Sequence, residues 1–299
     1  MRVALFSHEA SAAHVTPPGH PEQVARFAAV MAGLAGLDLD RRVAPLADDA
    51  DLLRCHPAAY LARVRAASPD SGWAQLDGDT FLSKGSVEAA LRAVGGACAA
   101  VDAVMPGGRA FLAARPPGHH AETATAMGFC IFGTVAIAAK HALAAGVERV
   151  AIVDFDVHHG NGTQDLLWDE PGVRFISSHQ MPLYPGSGAA TEVGAHGQIL
   201  NVPLRAGSGG AAMRAAYEAK VFPVLRDYSA QLLLISAGFD AHADDPLAGL
   251  NWQADDYGWL TGELCKLAGG RVVSCLEGGY DLRALQDCVA AHVAALGEA

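Results

Sequence analysis

The segment Ile152-Val-Asp-Phe-Asp-Val-His-His-Gly-Asn-Gly-Thr-Gln164 is an apolar run that ends in Asp154, Asp156, His158 and His159. Oxygen and nitrogen donors in this mixture suit zinc or another first-row divalent ion. Side chains alternate along a strand, so Asp154, Asp156 and His158 share one face. Polar residues where a loop begins would look similar in isolation, and the case for chemistry rests on three further clusters.

The first is Arg115-Pro-Pro-Gly-His-His-Ala-Glu122. Pro-Pro-Gly stops regular structure and presents His119 and His120 from a fixed turn. Adjacent imidazoles suit a general base and an electrostatic partner, although a surface His-His pair is commonplace. The second is Leu232-Leu-Leu-Ile-Ser-Ala-Gly-Phe-Asp-Ala-His-Ala-Asp-Asp-Pro246. Asp240, His242, Asp244 and Asp245 all compete for the place of a third metal ligand, and spacing does not choose among them. The third is Cys275-Leu-Glu-Gly-Gly-Tyr-Asp281, whose paired glycines would carry Tyr280 into a cleft on a mobile loop. A hydroxyl there would donate to a developing oxyanion. A packed aromatic is the commoner use of such a tyrosine.

These clusters need a scaffold that brings strand ends together. Apolar, β-branched runs predict strands over 2–6, 110–114, 149–155, 173–178, 231–237 and 271–276. Helical periodicity and alanine content predict helices over 22–34, 48–67, 85–105, 131–145, 210–227, 253–269 and 281–296. The alternation predicts an α/β fold with a mostly parallel central sheet and helices on both faces. Every cluster follows a predicted strand, as open α/β sheets require of their sites. With no repeat or linker, residues 1–299 read as one domain.

Composition narrows the partners. A net charge of −11 disfavours nucleic-acid backbones and anionic membrane surfaces, and no apolar run reaches membrane-spanning length. The six cysteines lack C-x-x-C pairing and read as buried, reduced thiols. The first residues read as a strand rather than a signal peptide, so a reducing cytoplasm is the expected compartment.

Arg115-Pro-Pro-Gly-His-His, Asp154-Phe-Asp-Val-His-His-Gly-Asn-Gly-Thr-Gln, Ser236-Ala-Gly-Phe-Asp and Glu277-Gly-Gly-Tyr together resemble the histone deacetylase superfamily. The nearest branch is that of the class II-type bacterial histone deacetylase-like amidohydrolases and acetylpolyamine amidohydrolases. The likeness runs over nearly the whole chain, through His20-Pro-Glu with Arg26, His56-Pro-Ala-Ala-Tyr60, Met127-Gly-Phe-Cys130, Tyr184-Pro-Gly186, Asn201-Val-Pro-Leu204 and Asp245-Pro-Leu247.

The resemblance implies an arginase-like fold and one zinc ion per chain on Asp156, His158 and Asp240. It implies His120 as general base and acid, His119 as its electrostatic partner and Asp154 as the carboxylate behind His119. Tyr280 would polarise the amide carbonyl. Asp154 and Ser177 would adjoin a structural potassium ion. Gly128, Phe129 and Tyr184 would line an acyl-lysine tunnel with Leu247 at its rim and Asp79 as a rim carboxylate. Three protein ligands leave a metal position open to water and a carbonyl oxygen.

The implied activity is removal of acetyl or other short acyl groups from acylated lysine or related amines, with a homo-oligomer left open. Asn161 stands where the class I branch has Asp. Gln23 stands for an Arg of the His-Pro-Glu motif, and Leu247 for the Glu that marks one polyamine-selective branch. The alternatives are an acetylpolyamine deacetylase, a binuclear manganese ureohydrolase and a silent acyl-lysine-binding protein.

Overall fold

The computed structural model describes residues 2–298. Its strands are β1 (Val3–Ser7), β2 (Leu39–Val43), β3 (Ala74–Gln75), β4 (Phe81–Leu82), β5 (Gly108–Ala113), β6 (Val150–Asp154), β7 (Val173–Gln180), β8 (Ile199–Leu204), β9 (Leu232–Ala237) and β10 (Arg271–Leu276). Eight of them form one parallel sheet in the order β2-β1-β5-β10-β9-β6-β7-β8. The remaining two, β3 and β4, pair as a short antiparallel ribbon.

Strand alternation divides the apolar residues between two cores. Leu112, Ile152, Leu234 and Val273 face the helices Ser86–Val104 and Thr134–Ala144. Phe111, Val153, Ile235 and Val272 face Ala25–Gly33, Ala254–Leu267 and Leu282–Glu298. Helices on both faces are therefore the arrangement found. The central strands are buried throughout, which is why they read as unbroken apolar runs.

All six predicted strands are present. The differences lie at the margins and each has a physical cause. Both outer strands escape sequence reading: β2 is charged and mostly exposed, and β8 carries Pro203, which an edge strand tolerates. The helix expected over 48–67 is two helices, Asp49–Leu52 and Ala58–Ala66, broken at Pro57. The helix expected over 210–227 holds a π turn at Tyr217–Val221, just before Pro223. No helix among the described residues is long and apolar enough to cross a membrane. All six cysteines are buried and unpaired.

Candidate active site

Four neighbouring strands, β5, β10, β9 and β6, end at the same edge of the sheet, and each delivers one cluster. From the β6 end come Asp156 and His158, and from the β9 end Asp240. Their donor atoms all lie within 4.8 Å of one another. His158 Nδ1 is 3.1 Å from an oxygen of each carboxylate. Four-coordinate donors about 2.0–2.2 Å from a zinc ion stand roughly 3.3–3.6 Å apart, so His158 already stands at nearly that spacing from both carboxylates.

Charge argues the same way. Burial, then the Asp156 carboxylate, pushes Asp240 up to about 7. Burial works to lower His158, but its bonds to Asp156 and Asp240 hold it up at about 10. Two buried carboxylates with oxygens within 4.8 Å of each other are a costly arrangement that a divalent cation would relieve. Space is reserved as well: a Cβ on Gly278 would come within 2.2 Å of Asp240 Oδ2 and 2.5 Å of Asp156 Oδ2. The donor set, its spacing and this cradle fit a metal ion.

The structure also sorts the competitors that spacing left open. Asp244 is exposed, and its backbone N–H donates to His242 Nδ1. Asp245 is buried and accepts the backbone N–H of Tyr280 at 2.7 Å. His159 turns to Ser187 and Gln164.

Beside Asp156, His158 and Asp240 lie the paired histidines. His119 Nδ1 is 3.0 Å from Asp154 Oδ2, and His120 Nδ1 is 2.7 Å from Asn161 Oδ1. Burial works to lower His119, but Asp156 and Asp154 hold it well above its ordinary value. Burial, then the charges of His119 and His158, holds His120 well below its own. The shifts run in opposite directions, favouring the charged form of His119 and the neutral form of His120. Asp154 and Ser177 are register partners on β6 and β7, and Ser177 Oγ is 2.9 Å from His179 Nδ1.

A cavity of about 200 Å³ opens over this centre, lined by Asp79, His120, Gly128, Phe129, His158, Leu183, Tyr184, Leu247 and Tyr280. It collects every substrate-side residue expected from the sequence, and Leu183 is an addition. Tyr184 is 39% exposed, which puts it at the mouth. Phe129 packs edge-on to Tyr280 at 5.7 Å. Phe129 holds a left-handed backbone (φ 69°) directly after Gly128 (φ 55°), a conformation uncommon for a bulky side chain. Met127–Cys130 is a tight turn with both central residues at positive φ, closed by Cys130 N–H to Met127 O at 2.9 Å. The turn is anchored from the ribbon: Gly128 N–H donates to Asp79 Oδ1 and Phe129 N–H to Thr80 Oγ1.

The loop carrying Tyr280 departs from expectation, because its backbone is pinned on several sides. Arg26 Nε donates to Gly279 O and Arg26 Nη2 to Glu277 O, both at 2.6 Å. Gly278 N–H donates to Asp156 Oδ2 at 2.8 Å. Glu277 itself is buried and accepts Gly118 N–H and His119 N–H. Glu22 accepts from both Arg115 and Arg26, and so ties the His119–His120 loop to the Tyr280 loop.

Sequence reading assigned no role to Glu22, Arg26, Asp245 or Glu277 in this bracing. Their signal was present as charged residues inside otherwise apolar motifs, but which charge meets which depends on contacts between distant segments, up to 253 residues apart for Arg26 and Gly279. Gln23, which stands for an Arg of the His-Pro-Glu motif, is exposed and lines a second hollow with Pro246, Leu247 and Tyr280.

Residues 20–296 match the histone deacetylase domain family. The chain is 42% identical to the histone deacetylase-like amidohydrolase of Pseudomonas aeruginosa, over 89% of this chain and 74% of that one. It is 36% identical to a probable deacetylase of Archaeoglobus fulgidus, over 94% and 82% respectively. It also superposes on the crystal structure of the HDA15 HD domain with a TM-score of 0.95 and 34% identity, covering 100% of this chain and 89% of that one.

Proposed function

Because the chain belongs to the histone deacetylase family, we propose that it is a zinc-dependent amidohydrolase acting on acetylated or short-acylated lysine and related amines. The observation that carries this reading is the convergence of Asp156, His158 and Asp240 beneath a cleft lined by Phe129, Tyr184, His120 and Tyr280. Asp156, His158 and Asp240 would hold the zinc ion, and Asp154 with Ser177 would adjoin a structural potassium ion. Bound there, zinc would supply Lewis acidity toward a carbonyl and a lowered pKa for water.

The chain's own residues account for the rest. His120, neutral and facing the cleft, takes the proton of the attacking water and returns it to the departing amine. His119, held protonated beside Asp154, supplies positive charge next to it. The Tyr280 hydroxyl meets no protein hydrogen-bond partner among the described residues and is free to donate to the oxyanion. Phe129 and Tyr184 offer apolar walls to an aliphatic stem, with Asp79 and Leu247 at the rim.

Acylated polyamines are the second reading. One observation favours them: Asp79 lines the cleft beside Tyr184, whose phenol is raised by burial first and then by the Asp79 carboxylate, with Asp77 and Glu122 adding to it. A binuclear manganese ureohydrolase would need a second set of ligands beside the first, and the buried cluster has three members.

The test joins metal content to substrate choice. Wild-type protein should carry one zinc per chain and hydrolyse an acetyl-lysine peptide. Asp240→Ala should lose both metal and activity while keeping its fold by circular dichroism. Two manganese ions per chain, or full activity after exhaustive chelation, would overturn the reading.

A further inference from the structure

Behind His120 lie two side chains, Asn161 and Glu122, that the proposed reaction leaves unused. His120 Nδ1 is 2.7 Å from Asn161 Oδ1, and Asn161 Nδ2 is 2.8 Å from Glu122 Oε1. We propose that Glu122 is a positioning residue that, through the Asn161 amide, fixes His120 with its proton on Nδ1 and leaves Nε2 as the acceptor facing the cleft. The inference rests on His120 being the base of the proposed reaction.

Donors and acceptors decide which way the Asn161 amide faces. A carboxamide has a donating and an accepting end, and a side-chain amide is free to turn either way. An ionised carboxylate only accepts. The end of Asn161 that faces Glu122 must therefore be its NH₂ group, and its oxygen is left facing His120. An oxygen there is satisfied only by an N–H on Nδ1, and a neutral imidazole carries one proton. The tautomer follows from a residue that never touches the ring.

Each link is held in place. Glu122 starts a tight turn closed by its backbone bonds to Thr125, at 3.0 and 3.4 Å. Asn161 is buried at the start of the helix Asn161–Leu166, and its NH₂ also reaches Met127 Sδ at 3.4 Å. His119, by contrast, meets the carboxylate of Asp154 directly. Interposing an amide keeps the orienting influence of a carboxylate on His120 without a direct ion pair.

The test is a double-mutant cycle on zinc-loaded enzyme with an acetyl-lysine peptide, comparing wild type, Glu122→Gln, Asn161→Asp and the double variant. Glutamine is able to donate as well as accept, so Asn161 is released to turn. Glu122→Gln alone should lower kcat roughly tenfold or more, toward the 10²–10⁴ that a positioned proton shuttle supplies, with KM changed less than about twofold. In the Asn161→Asp background the same change should cost nothing, because a carboxylate at 161 has no orientation to lose. An equal loss in both backgrounds would mark Glu122 as a packing residue and overturn the proposal.

A second measurement does not depend on turnover. Nitrogen-15 spectra of the histidines should place the His120 proton on Nδ1 in wild type and shift it toward Nε2 in Glu122→Gln. An unchanged ring in the variant overturns the proposal whatever the activity. A tautomer that shifts in a protein unable to cleave the peptide would uphold the relay and sink the substrate reading instead.

Discussion

Tyr280 and His120 line the same cleft but owe their chemistry to different surroundings. Burial, then the Asp240 carboxylate, pushes the Tyr280 phenol well above its ordinary range, so it remains a hydroxyl donor. Tyr280→Phe removes that donor and little volume. It should cost about 2.7–4 kcal/mol of transition-state stabilisation, seen in kcat with KM nearly unchanged. An equal loss in substrate binding would point to packing instead. His120→Ala should lower turnover on the order of 10²–10⁴ while metal analysis still finds the ion. Near-wild-type turnover would move the shuttle to His119. Both residues were legible as chemistry in the sequence because each closes a motif at a strand end. Spacing alone did not choose Asp240 over Asp244 and Asp245, because carboxylates a few residues apart on one loop differ only in which way the loop turns; the motif Ser236-Ala-Gly-Phe-Asp240 made the choice through the family resemblance.

At the scale of elements, the loops after β5 and β10 act as one unit through Glu22. Burial alone would raise this carboxyl. Arg115, a hydrogen bond from His14, and Arg26 outweigh it and hold the group well below its ordinary 4.5. A depressed carboxylate stabilises the fold fully above its unfolded pKa, and that stabilisation is lost as pH falls through the folded value. Glu22→Gln leaves two buried guanidinium groups without their partner and should cost about 3–5 kcal/mol at neutral pH. Denaturant unfolding of both proteins should show the gap closing as the solution is acidified below about pH 4.5. A gap that stays constant would mean that Glu22 acts through shape and not charge. The central strands were legible because burial on both faces leaves an unmistakable apolar run. The edges β2 and β8 were not, since an outer strand obeys its neighbour's hydrogen bonds more than its own side chains.

For the whole molecule, charge is the weaker guide to substrate. The net −11 is spread over the surface, and salt screens it beyond about 8–10 Å. Leu247 leaves one side of the rim uncharged, so acyl-lysine peptides should exceed acetylputrescine and acetylspermidine in kcat/KM at physiological salt. A tenfold or greater advantage for either polyamine would give the decision to the carboxylates around Tyr184.

The position of β10 has a further consequence, for how the chain comes to be made. This strand is the last of the sheet to be synthesised, yet it lies between β5 and β9 near the sheet's centre. Until residue 276 has left the ribosome, the two halves have no strand to join them, and the apolar edges of β5 and β9 stand open. Completion of the sheet must wait for β10 to emerge, and the waiting fragment is exposed to aggregation. Nascent chains halted before Arg271 should therefore bind chaperones and be cut readily by protease, whereas release of the complete chain should bring protection in one step.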